Sequence, residues 1–178
     1  MNAVEIEQAI SDLALEPFDP AEFPYVFLAA FGHKETTLKR LRTGNSNTSD
    51  QPGGVLLRNH LHLAVCPAGQ VGETLQALRA SPATAKAKAR FILASDGNTL
   101  EAEELASGET IAPAYADFPN HLGFFLPLAG ITTIKEIKDN PVDVRATGRL
   151  NKLYVELLRE NPDWATEDRR ADMNHFMA

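Results

Sequence analysis

The run GGVLLRNHLHLAVC, residues 53–66, constrains this chain more than any other stretch. Val55, Leu57, Leu61, Leu63 and Val65 fall on one parity, while Arg58, His60 and His62 fall on the other. An alternation of period two puts successive side chains on opposite faces, so the run is expected to be extended chain. A helix is expected over Glu73–Ala80, and a second strand over Arg90–Ser95. That strand closes in Asp96-Gly97-Asn98. Asp-Gly favours turns whose twist matches paired strands, so Thr99–Leu105 should return as a hairpin.

Helical spacing precedes this core. Val4, Ile6, Ala9, Ile10, Leu13 and Ala14 recur at helical intervals until Pro17 and Pro20 intervene. Glu22–Phe31 carries Phe23, Tyr25, Val26, Phe27, Leu28 and Phe31, which makes it apolar nearly all round and a candidate central helix, with Gly32 ending it. A third helix is expected over Glu35–Arg42, followed by a polar loop, Asn45–Gly54. Glu109–Ala112 reads as a further short strand, Phe118–Gly130 as an aromatic connector, and Asp143–Glu160 and Asp168 onward as helices. The order predicts an α+β (mixed α/β) fold, a small mixed sheet with flanking helices. Two domains are expected: 1–140, the sheet with its N-terminal helices, and 141–178, a helical segment leading into further polypeptide.

The composition, 44% hydrophobic and 23% charged over 178 residues, is that of a globular chain able to bury a core. A net charge of −7 means that any nucleic-acid contact must come from a local basic patch. The single cysteine, Cys66, rules out an intrachain disulfide framework and a multi-cysteine zinc site. No run approaches the roughly 18 apolar residues of a membrane span, and the acidic start, MNAVE, lacks the layout of a signal peptide. A cytoplasmic protein without membrane contact is expected. The last residues, 171–178, stop within a helical pattern without a cap, which points to a piece of a longer protein.

Lys34, Lys39, Arg40 and Arg42 lie on or just before the third helix, with Arg58 beyond the loop. Lys39 and Arg42, three apart, share a helix face. Cations at a helix C-terminus favour its dipole, and that is the structural explanation; the functional one is contact with DNA phosphates. Lys86, Lys88 and Arg90 form a second patch, expected to be a solvated, extended lead-in to the strand at 90–95. Asp96, Glu101, Glu103 and Glu104 make an acidic hairpin that is either a charged outer face or a divalent-ion site. His60, His62 and Cys66 share a parity that could suit a metal, but with no third ligand besides Cys66, half-buried strand histidines are the preferred reading. Asn161-Pro162-Asp163-Trp164 is similar to the Asn-Pro-Pro-aromatic motif of amino-methylating DNA enzymes, but its third residue is Asp and it reads better as a helix stop.

Several segments together resemble one family: FLAAFG at 27–32, KETTLKRLRTGN at 34–45, RFILASDG at 90–97, FFLPLAGI at 124–131, DVRA at 143–146, LNKLY at 150–154 and NHFMA at 174–178. They look like the N-terminus of MmeI-type DNA methyltransferases of restriction-modification systems, in consistent order over nearly the whole chain. The resemblance implies a large single-chain parent. Its N-terminal nuclease-like domain would precede a helical spacer, an adenine-N6 methyltransferase domain and a target-recognition domain. Its cofactor would be S-adenosylmethionine and its substrate double-stranded DNA, and this domain's immediate partner would be the remainder of the same polypeptide. Restricting members carry a PD-(D/E)xK nuclease here. On that pattern Ala64 stands where the Glu belongs, Cys66 where the Lys belongs, and Leu56 or Leu57 where the Asp belongs. The resemblance therefore implies a degenerate nuclease core with no catalytic residues, acting as a DNA-binding or structural module. Its candidate DNA contacts are Lys34, Lys39, Arg40, Arg42 and Arg58. The alternatives are an active endonuclease using Asp96, Glu101 and Glu103, and a purely protein-binding module.

Overall fold

Helix α1, Ala3–Leu15, begins at a capping box in which the Asn2 side chain accepts from the Glu5 amide and the Glu5 carboxylate accepts from the Asn2 amide. The fold is that of a computed structural model, which describes residues 2–131. The expected second domain, the helices of 143–178 and Asn161-Pro162-Asp163-Trp164 lie outside the described residues. Helix α2, Phe23–Ala30, starts with Pro24 in its first turn and ends near Gly32, whose φ is 85°. Helix α3 spans Glu35–Arg42 as the spacing predicted.

The extended run of 53–66 is not one strand. It folds into an antiparallel pair, β1 (Gly54–Leu57) and β2 (Leu61–Val65), joined by a turn at Arg58-Asn59-His60. Asn59 supplies the left-handed backbone that the turn needs, with φ 64°, and its amide donates to the Ala87 carbonyl at 2.9 Å. The parity expected for the apolar residues survives because Val55 pairs Leu63 and Leu57 pairs Leu61. Helices α4 (Val71–Ala80) and α5 (Pro82–Lys86) then cross to β3 (Phe91–Ser95), which runs parallel to β2. The extended lead-in expected at Lys86–Arg90 is thus replaced by a short helix and a turn. Ser81 caps it, accepting from the Ala83 and Thr84 amides. The hairpin to β4 (Leu100–Glu104) forms at Asp96-Gly97 as expected, and β5 (Thr110–Ile111) completes a five-stranded sheet ordered β1-β2-β3-β4-β5. The architecture is α+β with a mixed sheet.

Both faces of the sheet are covered, so β3 is buried at all five positions. On one face Ala64, Ile92 and Ala94 pack on Val71, Leu75 and Leu78 of α4. On the other, an aromatic cluster joins α2 to the 3-10 turn at Tyr115–His121 and the short helix α6, Leu122–Phe125. Phe27 touches Phe23, Phe31, Phe118 and Phe125 with ring centroids 5.0 to 6.1 Å apart. Each such ring pair contributes about 0.5–1.5 kcal/mol beyond area burial. The β3–β4 turn is locked to this cluster. Gly97 has φ 84°, and a Cβ there would lie 2.5 Å from the Phe18 ring. A side chain at this position is therefore excluded both by conformation and by space.

Candidate nucleic-acid interface

The polar loop 43–53 is held against β1 by side chains rather than by regular structure. The Asn47 carboxamide donates to the Gly54 carbonyl at 2.9 Å and accepts from the Leu56 amide at 3.0 Å. It thereby satisfies the outward-facing groups of an edge strand, which otherwise would await another chain. Ser49 and Thr84 hold His62 between them: Ser49 Oγ lies 2.7 Å from Nε2 and Thr84 Oγ1 lies 2.7 Å from Nδ1. The Thr84 hydroxyl donates to the Leu78 carbonyl at 2.6 Å, so its oxygen must accept from Nδ1–H. That assignment leaves Nε2 as the acceptor for the Ser49 hydroxyl. Asp50 completes the fastening by accepting from the Ser81 hydroxyl at 2.6 Å, and that bond holds its carboxyl below the ordinary value.

The five candidate cations sit at three places in the fold: the two ends of α3 and the β1–β2 turn. Lys34 is the N-cap of α3, whereas Lys39, Arg40 and Arg42 lie in its last turn. Eight helical residues separate the ends, which is roughly 12 Å at the rise of an α-helix. Arg42 pairs with Glu22 and sits over the Tyr25 ring, 4.4 Å from its centroid, so it braces α2 against α3. Its guanidinium is held above its ordinary value, chiefly by the hydrogen bond to Glu22. Lys39 and Arg40 are exposed without an ion pair among the described residues. Arg58, on the β1–β2 turn, lines a cleft.

That cleft, of about 760 Å³, is one that sequence spacing does not reveal. The loop contributes Ser46, Thr48 and Asp50; Arg58 and Lys86 come from the β1–β2 turn and the end of α5. Pro82, Ala83 and Ala87 form an apolar floor. The Ser46 amide donates to the Arg40 carbonyl at 3.2 Å, so the basic end of α3 abuts the rim. Lys86 was grouped with Lys88 and Arg90 in the sequence, but the structure disperses them. Lys88 lies in a turn with φ 53°, and Arg90 pairs with Glu104 at 2.8 Å.

The acidic hairpin is not a solvated face. Glu103 and Glu104 are 8% and 5% exposed, paired with Arg79 and Arg90 respectively. Asp96 accepts amides from Gly69, Asn98 and Thr99 at 2.8–2.9 Å. Burial pushes its carboxyl up, but these donors outweigh that and hold it below the ordinary value. Among the described residues, no three His, Cys, Asp or Glu side chains are grouped to hold a metal ion. The expected shared face of His60, His62 and Cys66 is also divided. His60 stacks edge-on against His33 with centroids 4.9 Å apart, while His62 is fully buried in its hydroxyl cage. Cys66 directs its thiol to the Ser95 carbonyl at 3.6 Å, and burial raises its pKa, the wrong direction for a nucleophile.

Leu56 and Ala64, which the family resemblance aligns with nuclease ligands, are each 1% exposed. Leu56 packs on Ala87 and Ala89, and Ala64 packs on α4. Neither hydrocarbon side chain could ligate Mg²⁺. The profile described as "MmeI, N-terminal domain" matches residues 1–160. The chain belongs to the MmeI N-terminal domain family. Within a related protein, DNA methyltransferase A of Bacillus subtilis (strain 168), the likeness is 26% identity over 161 residues. The match takes in 90% of this chain but 18% of that relative, so the MmeI-type domain spans less than a fifth of its relative's length. No solved structure matches the chain. No helix among the described residues is long and apolar enough to cross a membrane.

Proposed function

We propose that this MmeI-type domain is the N-terminal part of a DNA methyltransferase of a restriction-modification system, and that its own role is to hold DNA rather than to cut it. The observation that carries the reading is the match along 90% of the chain to a protein named DNA methyltransferase A. The parent would transfer a methyl group from S-adenosylmethionine to adenine N6 in double-stranded DNA, a reaction that requires the base to be turned out of the duplex. The residues described here do not fit that cofactor. Gly69 lies between β2 and α4 and Gly72 in the first turn of α4, but Ala68-Gly69-Gln70-Val71-Gly72 lacks the G-x-G-x-x-G spacing of a dinucleotide-type loop, and the Gly69 amide is already taken by Asp96. The cofactor therefore belongs to the remainder of the parent polypeptide, which is also this domain's nearest partner.

The nuclease-like module would be inactive because Leu56, Ala64 and Cys66 supply neither carboxylate ligands nor a lysine. Lys39 and Arg40, at the dipole-favoured end of α3, offer sequence-independent contacts to phosphate. Arg42 is engaged with Glu22, and Lys34 stands at the other end of the helix, so neither serves this contact as directly. The test is to incubate the full-length protein with duplex DNA and labelled S-adenosylmethionine, then digest to nucleosides. Label in N6-methyladenine supports the reading; no incorporation, or label in cytosine, overturns it.

A further inference from the structure

We infer that the cleft between loop 43–53, the β1–β2 turn and α5 is a seat for the sugar-phosphate backbone of duplex DNA, with Arg58 and Lys86 as its paired phosphate ligands. This rests on the reading of the parent as a DNA enzyme, but it assigns a site and a residue, Lys86, that the basic pattern around α3 does not contain. Three observations converge. First, Arg42, Arg79 and Arg90 are taken up by Glu22, Glu103 and Glu104, whereas Arg58 and Lys86 have no ion pair among the described residues and line the same opening. Second, the lining chemistry is divided as a nucleic-acid backbone is divided. Cations and the hydroxyls of Ser46 and Thr48 stand at the walls, and Pro82, Ala83 and Ala87 provide apolar surface against which deoxyribose can pack. Third, the walls are fastened. The Arg58 turn is tied to α5 by the Asn59–Ala87 hydrogen bond, and the loop is tied to α5 through Asp50–Ser81. Little ordering of the backbone is then needed on binding.

Among the described residues that line the cleft, Asp50 is the one carboxylate. Its charge is directed into the hydroxyl of Ser81 and the amide of Gln51, which leaves two cations against one already-solvated anion. In a chain of net charge −7 this is a local reversal of sign. A volume of about 760 Å³ accommodates a backbone segment rather than a single ion.

The experiment measures duplex binding by the full-length protein as a function of salt, in the wild type and in an Arg58→Ala/Lys86→Ala double variant. Each phosphate neutralised contributes about 0.9 to the slope of log K against log salt, so the double variant should lose about 2 from the slope on every duplex sequence. A charge-preserving Arg58→Lys/Lys86→Arg variant should keep the wild-type slope, and Lys88→Ala, which removes a charge outside the cleft, should leave it unchanged. If the wild type binds and methylates DNA but the double variant has the same slope, the cleft assignment is wrong while the enzyme reading stands. An equal loss with Lys88→Ala would also overturn it, because general field and not a seat would then be at work. If the wild type neither binds nor methylates DNA, both fail together.

Discussion

His62 has 0% of its surface exposed and a hydroxyl on each ring nitrogen, so a second ring proton would displace the Ser49 donor and place a charge in the core. Burial holds its pKa below the ordinary value, against an opposing pull from Asp50. Burial also lowers His60, and burial together with the charge of His60 brings His33 down to about 4. All three shifts have the same sign, and the consequence for stability follows from proton uptake. Above pH 6.5 neither the folded nor the unfolded chain is protonated at these sites, and the stability is complete. As the pH falls below 6.5 the unfolded chain takes up protons that the folded one refuses, so stability is lost progressively, down to about pH 4 for His33. Asp50 and Asp96, both held below 3.8, add their own loss only at still lower pH. The urea midpoint should accordingly fall between pH 7 and pH 5, and His62→Gln should flatten part of that dependence. A midpoint constant across this range would contradict the neutral buried histidines.

Among the elements, the β1–β2 hairpin shows why alternation alone reads a turn as continuous strand. Its loop, Arg58-Asn59-His60, has an odd number of residues, so residues 55 and 57 and their partners 63 and 61 keep one parity whether the chain turns or runs straight. The distinguishing signal was Asn59, a residue type that tolerates the left-handed region, unaccompanied by the glycine that marks the commoner hairpin turns. By contrast α3 and the Asp96-Gly97 hairpin were legible, because a polar face with periodic leucines and an Asp-Gly dipeptide each act locally. The role of Asn47 was not legible, since a side chain that imitates a neighbouring strand has no sequence period. Replacing Asn47 with Ala leaves the Gly54 carbonyl and the Leu56 amide without their partner, which should destabilise the chain by about 1–3 kcal/mol. Hydrogen exchange at the Leu56 amide should accelerate in the same variant. Unchanged protection there would show that the loop is held by something other than Asn47.

At the scale of the whole molecule, no metal-binding group of His, Cys, Asp or Glu forms among the described residues. A metal-dependent nuclease needs oxygen ligands grouped around Mg²⁺, and three acids of the hairpin are engaged elsewhere: Glu103 with Arg79, Glu104 with Arg90 and Asp96 with three backbone amides. Plasmid DNA incubated with the full-length protein and Mg²⁺ or Mn²⁺ should remain supercoiled. Nicking that disappears in Asp96→Ala would restore the endonuclease alternative. The sequence by itself determined α1 to α4, the Asp96-Gly97 hairpin, the mixed α+β class and the family resemblance, because periodicity, caps, turn dipeptides and ordered motifs are encoded over short spans. Only the tertiary structure decided which charges are available. Arg42 and Arg90 are neutralised by carboxylates 20 and 14 residues away, while Arg58 and Lys86 meet across a cleft. Ion pairing and cleft formation depend on distances through space, which chain folding sets and sequence spacing does not record.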